Sequence, residues 1–147
     1  MGKRNEGRSE VPEMTYEEKK EFLSGYIEGK RRIAALLRDW KYWQDVGTSM
    51  GANSGEGHGS GAGSKVETAA VKIADIQREI EFNINDCDRL RKEVRNAVER
   101  LRTSKYKTAL YDIYIAGISR DTAANERGIS VGRLNSMIHR AIDQLDI

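Results

Sequence analysis

The chain has 147 residues, 38% hydrophobic and 33% charged, with a formal charge of +2. That length holds one or two domains. A single proline, Pro12, and only two phenylalanines argue against a strand-rich fold, and no run approaches the ~20 apolar residues that span a bilayer. The charged start, Met1 to Glu10, lacks the apolar segment of a secretory signal. One cysteine, Cys87, cannot form an internal disulfide, so a reducing cytoplasm is the expected compartment.

Residues 1–14 read as a disordered N-terminus. The first helix is predicted to open at Thr15, because Thr15-Tyr-Glu-Glu18 has capping-box spacing. Its apolar stripe is Leu23, Tyr26, Ile33, Leu37 and Trp40, widened by Phe22, Ile27, Leu36 and Trp43, and it carries the helix to about Trp43. Gly25 and Gly29 each weaken that helix by ~1 kcal/mol relative to alanine. Glu17, Glu18 and Glu21 read as a solvated helix start that suits the helix dipole.

From Gly47 to Lys65, seven of nineteen residues are glycine. Such a segment buries too little to offset its ordering entropy, so 47–65 is expected to be a flexible Gly/Ser-rich linker. Its Gly59-Ser-Gly-Ala-Gly-Ser-Lys65 stretch fails as a P-loop. Ser64 separates Gly63 from Lys65, and no strand precedes it.

The second helix, Val66 to Arg102, shows sustained sevens at Ile73, Ile80, Cys87, Val94 and Leu101, with Ile84 and Val98 between them and Ile76 and Leu90 flanking. At 1.5 Å per residue it would be roughly 55 Å long, too long to bury in so small a protein. The first helix is its natural partner, giving an antiparallel coiled-coil hairpin over 15–102. From Arg89 to Lys107 eight Lys or Arg stand against two acids, a basic run that could follow phosphates or simply face water.

Residues 103–147 are predicted to form a three-helix domain. Thr103 or Ser104 caps a helix over Tyr106 to Ala116, with Leu110, Ile113 and Tyr114 facing inward and Gly117 ending it. Ser119 caps a short helix that Gly128 closes in the left-handed conformation, and Ser130 caps the last helix. The inward face of that helix is Leu134, Met137 or Ile138, Ala141, Ile142 and Leu145. Ala123 and Ala124 lie where the two helices would cross closely. This is the pattern of a helix-turn-helix, in which the last helix offers its first turns to the major groove. Arg133 and Asn135 suit base readout, since Arg matches guanine O6 and N7 and Asn matches adenine N6 and N7. Val131, Gly132 and Ser136 lie beside them as further base-contact candidates. Ser119, Arg120, Ser130, His139, Arg140, Arg102, Lys105 and Lys107 are the candidate phosphate contacts.

Other chemistry is sparse. His58, His139 and Cys87 lack metal-ligand spacing, and no nucleophile–base pair emerges from the sequence. The chain therefore reads as a binding protein with no metal, no cofactor and no catalytic residue.

The residues Leu110…Tyr114-Ile-Ala-Gly-Ile-Ser…Ala123-Ala-Asn-Glu-Arg-Gly-Ile-Ser…Leu134…Arg140-Ala-Ile-Asp-Gln-Leu145 resemble the region-four helix-turn-helix of bacterial sigma factors. From about Phe22 to Leu145 the chain resembles small phage and prophage regulators that place a long helical hairpin before such a domain, akin to the ArpU-type late regulators. The resemblance implies a sequence-specific transcriptional regulator in a bacterial host cytoplasm. It implies double-stranded DNA as partner and no membrane, with room for host RNA polymerase and for a homo-oligomer. Ala123 stands where that family usually has a larger aliphatic residue, and Arg127 where it usually has leucine. That implies a poorer core, or one completed by another subunit or by the hairpin. Two other classes stay open: a phage small terminase subunit recognising packaging DNA, and a helical adaptor that binds no DNA.

Overall fold

A computed structural model describes residues 13–52 and 60–147. The expected disordered start, except Glu13 and Met14, and residues 53–59 of the glycine-rich segment lie outside the described residues. Among those described, the chain is all-helical. The helices are α1 (Tyr16–Ala52), α2 (Ser60–Glu99), α3 (Ser104–Tyr114), α4 (Arg120–Arg127) and α5 (Val131–Asp143).

The capping box forms as the sequence predicts. Thr15 N donates to Glu18 Oε2 at 3.1 Å, and Glu18 N donates to Thr15 Oγ1 at 3.2 Å, so two otherwise free donors are satisfied reciprocally. α1 and α2 then pack as an antiparallel hairpin, with Gly25 beside Leu90, Gly29 beside Cys87 and Gly47 beside Ala69. A Cβ at Gly29 would overlap Cys87 Sγ. The glycine that weakens the helix locally is therefore what lets the two helices approach.

Both long helices run beyond their predicted ends. α1 continues past Trp43 to Ala52, and α2 begins at Ser60 instead of Val66, so the linker assigned to 47–65 is helical at both ends. Val46 is half-buried, and Gly47 lies where a Cβ would meet Ala69 at 3.5 Å. Pairing of the helices thus continues through residues whose composition reads as linker. α2 stops at Glu99, short of Arg102, where Arg100 N and Leu101 N bond back three residues to Ala97 O and Val98 O.

The seam also differs in detail. Ile76, Cys87, Val94 and Leu101 are buried and Ile73 and Ile80 half-buried, but Ile84 and Leu37 stand 50% and 49% exposed. In α1 the half-buried neighbour Leu36 takes the inward position expected of Leu37. A straight helix drifts relative to a strict seven-residue repeat, so one stripe cannot stay aimed at one partner over this length.

The three short helices pack on the base of the hairpin. Leu23 of α1 and Val94, Ala97, Val98 and Leu101 of α2 belong to the same continuous core as Leu110, Leu134, Ile138 and Ile142. The small Ala123 and Ala124, 0% and 2% exposed, are buried where α4 packs against α3 and α5. Leu110 and Tyr114 are buried as predicted, Ile113 is half-buried, and Ala109 and Ile115 join the core as well. Fully burying a side chain such as Leu23 stabilises a fold by about 1.5–3 kcal/mol.

Candidate nucleic-acid interface

Thr103 has the extended backbone of an N-cap for α3, but its side chain makes no cap bond. Its carbonyl oxygen instead accepts from Tyr106 N and Lys107 N. α3 ends in a turn where Gly117 takes φ 71° and Ile118 N reaches back to Asp112 O at 2.8 Å. Ser119 then caps α4, accepting from Thr122 N at 3.2 Å. Gly128, at φ 64°, closes α4, and Ile129 N bonds Ala124 O at 3.1 Å. Ser130 caps α5 by accepting from Arg133 N at 3.1 Å. Only Gly128, Ile129 and Ser130 separate the two helices, and Ile129 packs on the core, which fixes the angle between them.

α5 buries Leu134, Ile138, Ala141 and Ile142. Opposite that stripe, Gly132, Arg133, Ser136 and Arg140 are exposed. Val131 differs from its neighbours: it is half-buried against the core, so little of it remains to meet a base. Asn135 is exposed, and its Oδ1 accepts from Arg120 Nη1 at 2.8 Å. The His139 ring lies against Tyr16 of α1, with centroids 4.2 Å apart, and His139 Nε2 is 3.5 Å from Asp143 Oδ2. His139 therefore faces the hairpin edge of α5 instead of standing among the free arginines.

The basic run divides into separate groups. Arg89 pairs with Asp86 at 2.7 Å and Glu93 at 2.9 Å, and Lys92 pairs with Asp88 at 3.1 Å. Arg100 donates to Asp146 O, and Lys107 sits 4.0 Å from Glu99, in a different groove from the α5 arginines. Arg102 is exposed in the α2–α3 connection. Lys105, at the start of α3, lines one groove of about 410 Å³ with Arg133, Ser136, Met137 and Arg140. Among the described residues none of these three cations has a carboxylate within 4.0 Å. Their positive field is therefore available to an anion.

Two relationships were invisible in the sequence. Arg127 Nη2 meets Asp112 Oδ2 at 2.7 Å with the side chains 19% and 17% exposed, clamping α4 to α3 at the position where leucine was expected. Tyr114 lies buried with its hydroxyl pKa raised by desolvation, an effect that the charge of Arg120 partly opposes. Both partners lie on different helices at separations with no local periodicity. Cys87 is buried, and desolvation raises its thiol pKa, with Asp86 adding to the effect and Lys30 and Arg32 opposing it. An inert core thiol fits that setting. Among the described residues no cluster of three or more His, Cys, Asp or Glu could hold a metal ion, and no helix is long and apolar enough to cross a membrane.

No family model, curated protein or solved structure matches the chain.

Proposed function

We propose that the chain is a sequence-specific DNA-binding regulator of the phage type, acting in a bacterial cytoplasm without a cofactor or catalytic residue. One observation carries the reading. α4, a three-residue turn and α5 are held by two serine caps and a left-handed glycine, and the exposed side of α5 shares a groove with Lys105 where three cations lie without acidic partners. A helix presented in this way can enter the major groove, with Arg133 reaching base edges while Lys105 and Arg140 meet flanking phosphates. Ser136 lies between Arg133 and Arg140 in that groove, where a small side chain lets the helix approach closely.

The test is selection of bound duplexes from a random library, followed by fluorescence anisotropy at several salt concentrations. The reading expects one enriched motif, bound more tightly than random duplex. Failure to bind any duplex at low salt would leave the adaptor role. DNA binding by a ring of many subunits would point to a small terminase subunit.

A further inference from the structure

The hairpin leaves one flank uncovered. Leu37 on α1, 49% exposed, lines a groove of about 330 Å³ with Trp40, Gln77, Ile80 and Glu81, and Ile84 on α2, 50% exposed, lies one helical turn beyond Ile80. Ile84 lies on this side because it follows Ile80 by four residues and Glu81 by three. The Trp40 indole N–H is buried at the groove and finds no acceptor among the described residues. Two helices alone cannot close such a seam; a bundle needs further helices over it.

Charge identifies what covers it. On α1 the rim beside Leu37 carries the exposed Lys30 and Lys41, seven residues before and four after it. On α2 the rim beside Ile84 carries the exposed Glu81 and Asp88, Asp88 being paired with Lys92 one turn along the same helix. No ion pair joins α1 to α2 among the described residues, so the two rims do not satisfy each other within the chain. One flank thus has a cationic edge, an apolar midline and an edge of net negative charge, which is complementary to a copy of itself. The size also fits. About 25 residues of each helix beyond the shared core, at ~1.5 Å per residue and with two helices ~20 Å across, give a flank of roughly 750 Å². Stable interfaces bury about 800 Å² per partner.

We propose that a second copy of this chain docks on the Leu37–Ile84 flank, forming a four-helix bundle in which α1 of each chain lies over α2 of the other. The two-fold axis then runs along the hairpins, and the two α3–α5 units sit at the same end. The opposite orientation would set the Lys30 and Lys41 rim against its own copy, and the Glu81 and Asp88 rim against its own, so repulsion disfavours it. Association needs no DNA, so its test is independent of the function of α5.

Sedimentation equilibrium of the full chain at about 1–50 μM is expected to give a dimer. Leu37→Glu with Ile84→Glu should give a monomer of unchanged helicity. Reversing one rim, as Lys30→Glu with Lys41→Glu, or the other, as Glu81→Lys with Asp88→Lys, should weaken the dimer at least tenfold, and mixing the two variants should restore a 1:1 dimer. Phe82→Ser, at an exposed apolar residue away from this groove, should leave the dimer intact. A monomeric wild type, a dimer that survives both glutamates, or a dimer lost through Phe82→Ser would overturn the proposal. Indifference to reversal of either rim would overturn the parallel arrangement.

Discussion

Arg120 Nη1 donates to Asn135 Oδ1 at 2.8 Å, tying the first residue of α4 to the second turn of α5. The accepting oxygen is the one that adenine N6 would need in a bidentate contact. If α5 reads bases, Asn135 does so while bound to Arg120, and the two act as a unit. Arg120→Ala and Asn135→Ala should therefore be non-additive in specific DNA affinity, with a coupling of about 1 kcal/mol. A double-mutant cycle by anisotropy measures this, and strictly additive losses would show that Asn135 works alone.

Arg133 and Lys105 share a groove, but their expected roles differ. Arg133→Ala should cost ~1–3 kcal/mol on the selected site and relax preference at one base position. Lys105→Gln should weaken binding to all sequences alike and flatten the log-affinity against log-salt slope by about one unit. Lys107→Gln, beside Glu99 in another groove, should leave the slope unchanged. Equal losses on specific and random DNA for Arg133→Ala would reassign that residue to the backbone.

Asp112 and Arg127 form a mostly buried ion pair. Removing the carboxylate alone leaves the guanidinium without its partner, so Asp112→Ala should destabilise the fold by about 2–4 kcal/mol. Arg127→Leu in the same background should recover much of that loss, because an apolar side chain needs no counter-charge there. Urea denaturation of the wild type and the two variants gives the comparison. A double variant no more stable than Asp112→Ala would mean that the pair does more than balance its own charges.

Gly29 and Cys87 meet at the helix crossing, where an added Cβ would overlap the sulfur. Gly29→Ala should lower stability by about 1 kcal/mol, since the cost of overpacking exceeds the helix-propensity gain. In a Cys87→Ala background the clash is relieved, and the same change should stabilise by about 1 kcal/mol. Thermal or urea unfolding reads the sign directly. A stabilising effect in both backgrounds would show that the helices part easily at this point.

Much of the local architecture was legible in the sequence, because its causes are short-range. Thr15 with Glu18, Ser119, Gly128 and Ser130 each act on backbone groups within five residues, so type and spacing suffice to place them. The inward face of α5 was equally readable, since a periodic stripe on a short helix packed on one core has a single solution.

Tertiary structure decided the remainder. The ends of α1 and α2 depend on pairing across the hairpin, which carries both helices into glycine-rich residues that local propensity assigns to a linker. The exposure of Leu37 and Ile84 follows from the drift of long helices past one another, a geometric property that residue type does not record. The division of the basic run depended on which helix each side chain meets. Arg89 and Lys92 find acids on their own helix, Lys107 faces Glu99, and Lys105 alone is carried to Arg133 and Arg140. Short-range signals specify caps, turns and stripes because their partners are neighbours in the chain. The seam, the ion pairs between helices and the shared groove join residues far apart in sequence, and only the packed helices bring those residues together.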